Sequence, residues 1–122
     1  MLVIDDEPAV REMFKAALES WGYIADTAPT GVAGLELFKR GGYAVVLSDY
    51  LMPGMTGFQM AVEMRQHTRN VQVILITGSV LADPQLDAAR RSGFTVLRKP
   101  IQLADLKTTI DETVRTATRS RS

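Results

Sequence analysis

Ala44-Val-Val-Leu-Ser-Asp-Tyr-Leu-Met-Pro-Gly-Met-Thr-Gly57 passes from a short continuous apolar run, through a carboxylate, into a turn. The run Ala44 to Leu47 reads as a strand covered on both faces, because a strand with one wet face would alternate apolar and polar residues. Pro53 and Gly54 then turn the chain. Thr56 is a candidate N-cap, and Phe58, Ala61, Val62 and Met64 recur at helical spacing behind it. Strand, loop opening on Asp49, and helix thus follow one another in a single short span.

The same alternation extends outward in both directions. Further apolar runs lie at Leu2 to Ile4, Val71 to Ile76 and Thr95 to Leu97, with a weaker one at Tyr23 to Ala25. Helical stripes separate them. Val10, Met13, Phe14, Ala17, Leu18 and Trp21 share one face of a helix opened by Pro8 and ended by Gly22. Shorter stripes fall at Val32, Leu35 and Phe38, and at Leu103, Leu106, Ile110, Val114 and Ala117. Asp83 is a candidate cap for a short fourth helix with Pro84 at its first position. Five strands alternating with five helices predict an α/β fold, and right-handed crossovers make it a doubly wound parallel sheet with helices on both faces. Ligands of such a sheet sit beyond the carboxyl ends of its strands, so the strand-to-helix loops are where chemistry is expected.

At 122 residues the chain is expected to be one domain, residues 1–118, with 119–122 a tail or the start of a linker because the apolar stripe ends at Ala117. Fourteen basic and fourteen acidic residues cancel, so no global field favours a nucleic acid or an acidic membrane. There is no cysteine for a disulfide or a thiolate site. No apolar run reaches the roughly 20 residues that span a bilayer, and a cytoplasmic location without membrane contact is expected. His67, near the end of the third helix, is assigned no metal or catalytic role, and Arg90-Arg91 reads as solvated surface.

The loops carry Asp5-Asp6-Glu7-Pro8 after the first strand, Asp49 after the third, Thr77-Gly78-Ser79 after the fourth and Lys99-Pro100 after the fifth. With strand order 2-1-3-4-5 those four strands are consecutive neighbours, and their loops converge on one edge. Three carboxylates brought together repel, and a hard divalent cation resolves the conflict. Oxygen donors without histidine or cysteine suit Mg2+, or Mn2+, held by Asp5, Asp6 and Asp49. A carboxylate is also a nucleophile toward phosphorus once the transferring oxygens are neutralised, and Asp49 is placed for that. The Lys99 ammonium and the Thr77 hydroxyl can meet the phosphoryl oxygens.

These motifs resemble those of the response regulator receiver domains, the CheY-like phosphoacceptor domains of two-component systems. The resemblance rests on Asp5-Asp6, on Asp49 within Leu47 to Gly57, on Thr77-Gly78 and on Lys99-Pro100, in order along nearly the whole chain. It implies a flavodoxin-like sheet of order 2-1-3-4-5, and a regulatory domain that assists its own phosphorylation and is not a turnover enzyme. By resemblance Asp49 is phosphorylated by a sensor histidine kinase or phosphotransfer protein. Asp6 is then a direct metal ligand, Asp5 a ligand or a neighbour through water, and the Leu51 carbonyl the third protein ligand. Thr77 and Lys99 form the phosphoryl-binding pair, and the Lys99-Pro100 peptide is cis. One position departs from the pattern. Many receivers carry Tyr or Phe three residues before the lysine, where the ring turns inward as the threonine moves, and Val96 stands there in this chain.

Three rival functions are weaker. A flavin- or nucleotide-binding protein would not place Asp5-Asp6-Glu7 where a phosphate must sit. An aspartate-nucleophile phosphatase would carry a second aspartate at position 51, which is Leu51. A phosphorylation-independent interaction module would have no need of all five site residues. The output, an effector domain or a separate protein, is not encoded in these motifs.

Overall fold

Strands whose successive side chains enter opposite layers organise the molecule. The computed structural model of the chain describes residues 1–78 and 84–120. Five strands, β1 (Leu2–Ile4), β2 (Asp26–Ala28), β3 (Val45–Asp49), β4 (Gln72–Thr77) and β5 (Thr95–Arg98), alternate with five helices. The helices are α1 (Pro8–Ser20), α2 (Gly31–Gly41), α3 (Gly57–His67), α4 (Pro84–Arg91) and α5 (Leu103–Ser120). The strands form one parallel sheet in the order β2-β1-β3-β4-β5, which is the doubly wound, flavodoxin-like architecture expected. Val45, Leu47, Ile74 and Ile76 pack with Phe14 and Leu18 of α1 and Leu106 and Ile110 of α5. Their neighbours Val46, Val73 and Leu75 point the other way, toward Phe38 of α2 and Met60 and Met64 of α3. Full burial of each such side chain contributes about 1.5–3 kcal/mol, which is why the middle of each inner strand is apolar, with Gln72 at the open start of β4 and polar residues gathered at the carboxyl ends.

The weakest apolar run misplaced its strand. β2 is Asp26–Ala28, not Tyr23 to Ala25. The cause is the end of α1, where Gly22 takes φ 93° and the Tyr23 N–H returns to the Leu18 carbonyl at 3.0 Å. The chain is thus still closing the helix at Tyr23, and pairing begins only at Leu2 with Asp26. An edge strand needs little apolar character, so hydrophobicity was a poor guide to its position.

Three stripe residues expected in the core are exposed: Met13 at 49%, Val32 at 59% and Leu103 at 51%. Each lies at the border of its helix's apolar face. Thr56 does cap α3. Its hydroxyl accepts from the Gln59 N–H at 3.1 Å while Gln59 Oε1 accepts from the Thr56 N–H at 2.9 Å, a reciprocal capping box. Asp83 lies outside the described residues, and α4 starts on Pro84. α5 continues helical to Ser120, two residues past the boundary expected at 118, because extending a formed helix costs far less than starting one. Among the described residues no helix is long and apolar enough to cross a membrane.

Candidate functional site

The carboxyl ends of β1, β3, β4 and β5 meet at one rim. Beyond β1, the Asp5 N–H bonds to the Ala28 carbonyl at 3.2 Å, and Asp5 Oδ1 accepts from the Glu7 N–H at 2.9 Å. The Asp5 carbonyl accepts from Arg11, one turn into α1, at 2.8 Å. Asp5 is therefore buried and fixed, whereas Asp6 is exposed. Glu7, not Asp6, occupies the N-cap position of α1, and it makes no side-chain capping bond.

Asp49 is the last residue of β3. The Tyr50 N–H donates to the Ile76 carbonyl at 2.8 Å, and the Tyr50 carbonyl accepts from the Gly57 N–H at 2.7 Å. This pulls the start of α3 against the loop that follows Asp49 so closely that a Cβ on Gly57 would lie 2.7 Å from the Asp49 carbonyl oxygen. Only glycine fits there. Leu51 follows in the loop with its side chain exposed. Thr77, 1% exposed, ends β4, and its carbonyl accepts from the Lys99 N–H at 2.8 Å. That bond carries the Lys99 side chain across the rim, where Nζ lies 3.6 Å from Asp49 Oδ1. The Lys99-Pro100 peptide bond is cis. Val96 lies below the rim, partly buried and paired in register with Leu75. Ser79 lies outside the described residues.

Asp5, Asp6 and Asp49 each offer a carboxylate oxygen within 4.8 Å of the others. Burial pushes the Asp49 carboxyl group above its ordinary range; Lys99 opposes the shift, and Asp5 and Asp6 add to it. Burial also raises Asp5, against the hydrogen bond from Glu7 and the charge of Lys99. One ammonium thus fails to offset the burial of these carboxylates. A hard cation fits this donor set, which is all oxygen and electrostatically unsatisfied.

The structure brings Asp5, Asp6, Asp49, Thr77 and Lys99 to one edge. Arg11, Gly57 and Tyr50 also shape this edge, and no motif in the sequence singles them out. Arg11 acts through a backbone carbonyl, which no motif displays. Gly57 could have been found from its place between a turn and a helix, where close backbone approach is a usual reason for glycine.

Residues 1–111 match the family described as the response regulator receiver domain. The chain is 33% identical over 110 residues to the sensor histidine kinase RcsC of Salmonella typhi, covering 90% of this chain and 12% of RcsC. It is 35% identical over 106 residues to the regulatory protein AtoC of Escherichia coli strain K12, covering 87% of this chain and 23% of AtoC. It therefore spans only an eighth to a quarter of these relatives. A receiver domain protein from Clostridium thermocellum superposes with a TM-score of 0.86 at 32% identity, covering 93% of this chain and 92% of that one. The response regulator TrrA of Thermotoga maritima, solved in complex with Mg(2+)-BeF, gives a TM-score of 0.82 at 32% identity, covering 92% and 96%. A five-stranded 2-1-3-4-5 sheet, an acidic cluster facing a lysine at its rim, and a family match over nine-tenths of its length make this chain a member of the response regulator receiver domain family of two-component systems.

Proposed function

We propose that Asp49 accepts a phosphoryl group from the phosphohistidine of a sensor histidine kinase or phosphotransfer protein in the cytoplasm, and that the phosphorylated domain regulates an output domain or protein. The observation that supports this most directly is Asp49 itself, held among Asp5, Asp6 and Lys99 with its Oδ1 3.6 Å from Nζ. In the transfer an Asp49 oxygen forms the new bond to phosphorus. The phosphorus–nitrogen bond breaks, its electron pair stays on the imidazole, and that nitrogen takes a proton. Asp5, Asp6, Asp49 and the Leu51 carbonyl would hold Mg2+ or Mn2+, which when bound supplies the positive charge that neutralises phosphoryl oxygens. Lys99 places its ammonium on the same oxygens, and the Thr77 hydroxyl donates to them.

The exposed Met13 and Leu103 border this rim. They line an apolar groove with Val10, Ile101 and Pro100 that reaches Lys99. A macromolecular donor that brings a phosphohistidine to Asp49 must lie against this edge, and exposed apolar side chains there favour one.

The test is incubation with a small phosphoramidate and Mg2+, followed by intact-mass measurement. A single base-labile phosphoryl adduct is expected on the native chain and none on Asp49→Asn. A full-strength adduct on Asp49→Asn would show that another residue is the acceptor.

A further inference from the structure

The residue after the phosphoacceptor reaches a second element. The Tyr50 ring is buried at 3% exposure, yet its hydroxyl donates to Gln85 Oε1 at 3.0 Å. Gln85 stands in the first turn of α4. The hydroxyl of Thr56, the N-cap of α3, donates to the same oxygen at 3.3 Å. At its other end Tyr50 is pinned by its backbone, with the N–H on Ile76 and the carbonyl on Gly57. The Asp49 main chain, the Tyr50 ring and the first turn of α4 are thus joined by one rigid aromatic lever with a hydrogen bond at each end.

We propose that the Tyr50–Gln85 hydrogen bond couples the phosphorylation state of Asp49 to the position of α4. Closure of the site around a phosphoryl group displaces the Asp49–Tyr50 segment. A tyrosine ring has two side-chain torsions and, when packed, cannot absorb the displacement by bending. The hydroxyl end then moves Gln85, and with it the helix. Thr56 shares the acceptor, so the start of α3 and the start of α4 respond together. The route bypasses β5, where Val96 offers no ring to reorient. The physical content is a contact whose strength differs between the two states of the domain, the only thing through which a modification can shift an equilibrium.

This coupling rests on the proposed phosphorylation of Asp49, and the experiment separates the two. The full chain, Tyr50→Phe, Gln85→Ala and the double variant are each treated with phosphoramidate and Mg2+, and the adduct is quantified by intact mass in the same sample used for amide chemical shifts. Adducts are expected in all four. Phosphorylation-induced shifts at Leu86 to Arg91 should fall to about half or less in either single variant, with little further loss in the double variant. Gln85 is exposed, so its truncation tests the link even if Tyr50→Phe folds poorly. Phosphorylated variants whose α4 shifts keep full size, or single-variant losses that simply add, would overturn the coupling. A native chain that takes no adduct would instead overturn the proposed function, and the coupling with it.

Discussion

Asp49 is a buried carboxylate crowded by two others, with a lysine that only partly compensates. Its folded-state pKa, like that of Asp5, lies above the unfolded value of 3.8. For a raised pKa the favourable contribution is present below the unfolded value and disappears as pH rises through the folded one. At neutral pH and without metal, the ionised site therefore strains the fold. Asp49→Asn removes one of these charges at constant shape. In metal-free buffer at pH 7 it should stabilise the protein by about 1 kcal/mol, a modest figure because the rim is open to water. That corresponds to a rise in Tm of about 4 °C by calorimetry. The advantage should vanish near pH 3, and it should shrink at neutral pH when Mg2+ stabilises the native chain by mass action. An Asp49→Asn variant less stable than the native chain without metal would mean that the Lys99 pairing outweighs the burial of charge. Asp6 is the exposed member of the cluster, and its substitution tests the metal directly. Asp6→Asn should weaken Mg2+ binding about tenfold or more, by loss of one charged ligand. Calorimetric or chemical-shift titration is the suitable measurement, since Trp21 caps α1 at the opposite end from Asp6. An unchanged affinity would remove Asp6 from the site.

The elements differ in how openly they declare themselves. β1, β3 and β4 were legible as apolar runs because both faces are covered, and Asp5, Asp49, Thr77 and Lys99 were legible because each closes or follows such a run. β2 was misplaced because an edge strand carries little of that signal. Met13, Val32 and Leu103 were misassigned because spacing shows a stripe but not where its border falls. The start of β5 depends on a residue that no pattern would select. Arg65 of α3 lies 4.0 Å from the centroid of the Phe94 ring, donates to the Val71 carbonyl at 3.2 Å and also donates to the Ser92 carbonyl. A lone arginine in a helix reads as surface, yet this one fastens α3 to the turn between α4 and β5. Arg65→Ala should cost about 2 kcal/mol through the lost cation–π contact and the carbonyls left without their donor. Denaturant unfolding measures this, and a change under about 0.5 kcal/mol, the usual effect at an unconstrained surface position, would sink the assignment. At the start of α3, Gly57→Ala forces a methyl group against the Asp49 carbonyl and against Leu75 Cδ2, at 2.9 Å. It should cost about 1–3 kcal/mol by overpacking and also slow adduct formation, because the strain falls on the Asp49 main chain. Native adduct kinetics in Gly57→Ala would show that the loop relaxes without moving Asp49.

For the molecule as a whole, the question is how far a change at the rim travels. Asp49 and Thr77 end neighbouring strands and Lys99 follows the next one, with the Lys99 N–H bonded to the Thr77 carbonyl, so closure around a phosphoryl group acts on the Asp49–Tyr50 segment, on the end of β4 and on the end of β5 together. Farther along β5, Val96 is packed against the core on the α2 and α3 side. A β-branched aliphatic side chain has one strongly preferred rotamer and cannot swing a ring between solvent and interior. Phe94, on the same side two residues earlier, is buried and held by Arg65 and by the edge of Phe58. Neither residue offers β5 a second discrete arrangement. α5 is anchored from the other side by Leu106 and Ile110, both fully buried, and by Asp111, which accepts from Tyr23 and Lys107. Phosphorylation should therefore leave Thr95 to Leu97 and Leu106 to Ile110 nearly unchanged, while the rim and α4 respond. A backbone chemical-shift map with and without beryllofluoride and Mg2+ measures this. Large shifts near Asp5, Asp49, Thr77 and Lys99, with small ones along β5 and the middle of α5, are expected. Shifts of equal size through Val96 and on to Ile110 would mean that β5 has a second packing that Val96 permits. Installing an aromatic side chain separates the cases. Val96→Tyr should extend the response into β5 if a mobile ring is the missing part, and should leave the map unchanged if the clamp of Arg65 on Phe94 is what holds the strand still.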